Sequence, residues 1–103
     1  MSAVSELERV VAQLRARFDG ELPGRLDRIR ALAAALGRDP GALRELKMAV
    51  HNIAGIAGTF GHPELSQAAA RMDELLSAPE AGLDRDLLQR LAQELHPDTL
   101  PNA

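Results

Sequence analysis

Between its glycines and prolines this chain places apolar residues three or four positions apart, a spacing that suits amphipathic helices and little else. A first segment carries Leu7, Val11, Leu14 and Phe18 on one face and opens with Ser5 and Glu8 at the spacing of a capping box. Asp19, Gly20 and Pro23 interrupt it, so a break or kink is expected there; one continuous bent helix is the alternative. A second segment aligns Leu22, Leu26, Ile29, Ala33 and Leu36 and stops at Gly37. Asp39 then Pro40 reads as an N-cap followed by proline at the first helical position. The third segment runs from Pro40 to about Phe60, and Gly61 is the C′ residue at which the chain leaves the helix. The fourth begins at Pro63, with His62 as its N-cap or turn residue, and buries Leu65, Ala69, Met72 and Leu76. After a loop at 77–82, the fifth turns Leu83, Leu87, Leu88, Leu91 and Leu95 inward and ends at Pro97; residues 96–103 are expected to fray.

Composition agrees with that pattern. Aromatic residues are 2% of the chain, and Leu and Ala dominate, which favours helix and leaves little material for a sheet. At 103 residues the chain is one domain, with a core over about 5–95. The expected fold is all-α: an antiparallel up-down four-helix bundle with an extra N-terminal helix packed across one end or side. A monomer is expected, because a capped bundle buries its core without a partner.

Several functions are disfavoured. Cysteine is absent, which removes disulfide and thiolate chemistry. The apolar run at 31–36 is far too short to span a membrane, and Glu6 and Glu8 break any signal-peptide pattern, so a cytoplasmic protein is the expectation. A net charge of −3 and the lack of interleaved aromatics argue against nucleic acid. No phosphate-cradling glycine loop and no kinase ATP motif is present, so a stand-alone enzyme has little support.

The third segment holds the information. At about 100° per residue, with His51 at zero, Leu46, Ala49, Ile53, Ala57 and Phe60 fall near the opposite side, flanked by Val50 and Leu43. Arg44, Lys47, Gly55 and Gly58 share the face of His51. Each interior glycine costs roughly 1 kcal/mol against alanine, and no turn is needed here. What glycine offers is clearance for a partner's atoms beside the imidazole; the blander use of small residues is close helix packing. An exposed histidine is ordinarily only a surface residue. Metal binding would need ligands that His62 and His96 do not supply at the i, i+4 spacing, and no Ser or Cys lies within a turn to act as a nucleophile. What is left is His51 itself, whose neutral imidazole has a nitrogen lone pair able to attack phosphorus. Arg44 and Lys47 could attract an acidic partner or steady phosphoryl charge.

The run His51-Asn-Ile-Ala-Gly55-Ile-Ala-Gly58-Thr-Phe-Gly61, with Pro63-Glu-Leu65-Ser and Met72-Asp73, resembles the histidine-phosphotransfer (HPt) domains of bacterial multistep phosphorelays. Leu22-Pro23-Gly-Arg-Leu26 is similar to the start of the second helix in such domains, and the likeness spans roughly residues 7–95. The resemblance implies that His51 accepts a phosphoryl group from a receiver-domain aspartate and passes it to another. It implies response-regulator receiver domains and a hybrid histidine kinase as partners. It also implies no cofactor on this chain, the Mg²⁺ residing on the receiver. Many members carry lysine where this chain has Ala54, and Lys47, one turn before His51, is the substitute available here. Many carry Glu or Gln at the position of Asp73, which by that likeness hydrogen-bonds a ring nitrogen of His51. The rival reading is a helical interaction module that regulates a receiver or kinase without being phosphorylated.

Overall fold

In a computed structural model, residues 3–98 are described, and they form four α-helices and one short 3₁₀ turn, with no strand among them. Helix α1 spans Ala3–Ala34, α2 Ala42–Ile56, α3 Pro63–Leu76 and α4 Arg85–Glu94; the 3₁₀ turn is Glu80–Gly82. Each helix packs on its neighbour in the chain, and α1 also packs on α4, which closes the four into a ring around one core.

The break expected around Pro23 is not there. The first two segments are one helix of 32 residues, so no separate N-terminal helix exists and nothing starts at Leu22-Pro23. Proline leaves the Asp19 carbonyl without its helical donor and costs about 3 kcal/mol in a helix interior. Continuous burial offsets that cost: Phe18, Leu22, Leu26, Ile29 and Ala33 form one inward stripe straight across the proline, each no more than 3% exposed. On the solvent side Glu21 is forked between Arg25 (3.0 Å) and Arg17 (3.2 Å). Arg25 first and Arg17 second hold its carboxyl below the ordinary value, so this modest support is present at neutral pH and fades as pH falls through that lowered pKa.

The expected inward face of the first segment is also overturned. Leu7, Val11 and Leu14 are exposed, and only Phe18 of that set is buried. All of residues 3–17 are exposed, although Leu14 and Arg17 already border a groove shared with Ile56 and Phe60.

The remaining helices match the sequence periodicity closely. Leu46, Val50, Ile53 and Ala57 are buried from the α2 side, with Leu43, Ala49 and Phe60 partly so. Leu65, Ala69, Met72 and Leu76 are buried from α3. From α4 and its end, Leu88, Ala92 and Leu95 are fully inside, while Leu83, Leu87 and Leu91 are only half-buried. The start expected at Asp39-Pro40 falls later, because α2 begins at Ala42 with Gly41 at its N-cap and ends at Ile56 rather than Phe60. The Asp39 carboxylate instead accepts from the Gly41 N–H (2.9 Å) in the preceding turn, and Gly37 takes the left-handed φ of +85° after α1. At the far end of α2, Gly61 at φ +91° lets the His62 N–H donate back to the Ala57 carbonyl (2.8 Å).

The chain beyond α4 does not fray at once. The Asp98 carboxylate accepts from the backbone N–H groups of Glu64 (2.9 Å) and Leu65 (2.8 Å), so it caps α3 from across the molecule. The rest of the tail, like residues 1–2, lies outside the described residues.

Gly20 and Gly24 sit inside α1 on its exposed side, and a Cβ added to either meets nothing within 4 Å. Gly20→Ala and Gly24→Ala should each therefore raise stability by about 0.5–1 kcal/mol, read from urea unfolding midpoints at unchanged m-value.

Candidate functional site

The site is built by two adjacent helices. The stripe of Leu46, Val50, Ile53 and Ala57 fixes the rotation of α2, and it turns His51 outward with its side chain 75% exposed. Burial of Ala69, Met72 and Leu76 does the same for α3 and brings Asp73 alongside, 35% exposed. The two meet: His51 Nδ1 lies 3.0 Å from Asp73 Oδ2.

That contact settles which ring nitrogen is free. A carboxylate only accepts, so the neutral imidazole carries its proton on Nδ1 and donates it to Asp73. Nε2 keeps an unprotonated lone pair on a ring that is mostly in solvent. Such a nitrogen is a nucleophile, and its partner carboxylate is placed to stabilise positive charge that develops on the ring.

A shallow groove beside the ring is lined by Lys47, Met48, His51, Asp73, Leu76 and Ser77. Of the sequence candidates, the structure thus gathers His51, Asp73 and Lys47. Arg44 is exposed two turns earlier on α2 and does not line this groove. Met48 was missed by sequence reasoning. It is 58% exposed, and the same angular arithmetic puts it about 60° from His51, so an apolar side chain on the polar face was the available signal.

The two glycines part company. A Cβ on Gly55 would meet nothing within 4 Å, so this surface beside His51 is open. A Cβ on Gly58 would come within 3.4 Å of Ser66 Oγ, and that hydroxyl donates to the Ala54 carbonyl at 2.7 Å. An added Cβ at Gly58 would thus sit in ordinary contact with α3, so its surface is partly covered where that at Gly55 is open.

Neither of the other histidines resembles His51. His62 is 6% exposed, with Nε2 2.6 Å from Asp19 Oδ1 and its ring 6.0 Å from that of Phe18. It precedes α3 as expected, but its side chain braces α1 and makes no cap. His96 bonds the Glu94 carbonyl in the tail.

Compared with known families, residues 13–96 match the model of the Hpt domain. The chain belongs to that family. Hpt domains are phosphocarrier modules that take part in histidine phosphotransfer in phosphorelays, and they interact with response-regulator receiver domains. Neither the curated proteins nor the solved structures compared with the chain gave a match. Among the described residues no helix is long and apolar enough to cross a membrane.

Proposed function

We propose that this chain is a phosphorelay intermediate whose acceptor is His51 Nε2. It takes a phosphoryl group from the aspartyl phosphate of one receiver domain and delivers it to the aspartate of another. The observation that carries the reading is the Nδ1 contact to Asp73, which leaves Nε2 as the exposed lone pair. In the forward step that lone pair attacks phosphorus, the N–P bond forms, and the P–O bond to the receiver's aspartate breaks. The electron pair of that bond leaves with the carboxylate. No proton has to move, since Nε2 carries none and Nδ1 keeps its own; the ring becomes cationic and Asp73 offsets the charge. Return to a receiver aspartate is the same step reversed.

Lys47, one turn before His51, supplies positive charge beside the incoming phosphoryl group, and Arg44 further along favours an acidic approach surface. Catalytic Mg²⁺ belongs to the receiver in this reading. The bundle is an antiparallel up-and-down one, because connections at 35–41, 57–62 and 77–84 leave no length for long crossovers. A hybrid histidine kinase upstream and a cytoplasmic setting complete the proposal.

The test is incubation with a receiver domain carrying labelled aspartyl phosphate. Acid-labile, base-stable label on this chain supports the reading; binding without label would favour a purely regulatory module.

The open surface at Gly55 gives a second measurement. Gly55→Leu should keep or slightly raise helix stability, since nothing lies within 4 Å and leucine is the better helix former. Transfer from the receiver should slow by about tenfold or more, because a bulky side chain blocks approach to the ring. Unchanged transfer with a sharply lowered melting temperature would make Gly55 a packing residue.

A further inference from the structure

The first half of α1 is not explained by the core. Val4, Leu7, Val10, Val11 and Leu14 are 62%, 63%, 49%, 41% and 49% exposed. Four of them continue, turn by turn, the face that buries Phe18, Leu22 and Leu26 further along the same helix. Val4, Leu7, Val11, Leu14 and Phe18 are separated by three, four, three and four residues, the heptad spacing of a coiled coil with Val and Leu alternating. A helix of this length is marginal alone in water, and an apolar seam along it is a surface for another helix.

We propose that this seam is the interface of an antiparallel homodimer, in which the overhanging α1 segments of two copies pack on one another. Charge selects the second copy and its direction. Glu8 and Arg15 are seven residues apart and flank the seam on the same side. In an antiparallel pair that flank meets itself. With Val11 level with the partner's Leu14, Glu8 of each copy faces the partner's Arg15, twice over by the two-fold axis. In a parallel pair Glu8 would meet Ala3 and Arg15 would meet Val10, and neither contact is an ion pair.

Shape agrees. In the same register Leu7 comes level with the partner's Phe18. There, at the base of the overhang, Leu14, Phe18, Ile56 and Phe60 help line an open groove. The tip of each overhang thus lands on the bundle of the other copy. The seam is short beside the interfaces of permanent dimers, so the pair forms with rising concentration and separates on dilution. This proposal is independent of the chemistry at His51.

The test is sedimentation of the full chain across a concentration series. The expected mass rises from 11.1 kDa toward twice that value. The double variant Leu7→Glu with Leu14→Glu should stay monomeric throughout, and at the lowest concentrations, where the wild type is monomeric too, its thermal unfolding should match. Glu8→Arg and Arg15→Glu, each alone, should weaken association by about tenfold, since two attractive pairs become two repulsive ones. An equimolar mixture of these two single variants should regain it. A wild-type chain that is monomeric at every concentration overturns the dimer, including the case in which the seam proves necessary only for receiver binding. Association indifferent to the charge reversals overturns the antiparallel arrangement.

Discussion

Replacing His51 with glutamine should end phosphorylation of this chain and leave its four helices in place. The amide of glutamine has no basic lone pair with which to attack phosphorus, so the loss is complete rather than graded. The side chain is 75% exposed and its one partner, Asp73, is also partly in solvent, so the stability change should stay within about 0.5 kcal/mol. The decisive measurement compares label from a phosphorylated receiver on His51→Gln, His62→Gln and His96→Gln. The last should transfer fully. His62→Gln should also transfer, yet lose about 1–3 kcal/mol of stability, because it disturbs a buried ring held by Asp19. Retained label in His51→Gln would move the acceptor elsewhere.

The second large effect concerns α1. Leu22 stands immediately before Pro23 and is 1% exposed, so Leu22→Ala should cost about 2–5 kcal/mol, a large share of the stability of a domain this size. Pro23→Ala should act the other way and gain about 1–3 kcal/mol, because a donor is restored to the Asp19 carbonyl and the side chain is exposed. Denaturant unfolding of the two variants separates the terms. A destabilised Pro23→Ala would mean that the proline sets a bend that the packing needs.

Those two residues also show where sequence reasoning stopped. Helix propensity and a proline rule predict a stop at 19–23, but whether burial outweighs the rule depends on what lies opposite, and that is tertiary information. The turn of α2 was legible because Leu46, Val50, Ile53 and Ala57 repeat at helical spacing, and that alone placed His51 outside. Gly55 and Gly58 look alike on a helical wheel; only the position of Ser66 on the neighbouring helix tells them apart. The pairing of Asp73 with His51 came from family likeness and not from spacing, since nothing in α3 alone says which carboxylate will meet α2. Asp98 was illegible for the same reason. Its carboxylate caps a helix that begins more than thirty residues earlier.

The distances along the chain carry a consequence for how the reactive arrangement assembles. His51 and Asp73 are 22 residues apart, whereas the Asp19–His62 contact spans 43 residues and the Arg30 bond to the Leu95 carbonyl spans 65. Closing a loop costs entropy that grows with its length, and contacts local in sequence form soonest. The ring and its carboxylate therefore belong to a segment whose ordering needs only a short closure, a helix–turn–helix unit with its own left-handed glycine at the corner. The Asp19–His62 contact and the Arg30 bond to Leu95 close larger loops around that unit. Imidazole and carboxylate do not wait for the ends of the polypeptide to find each other.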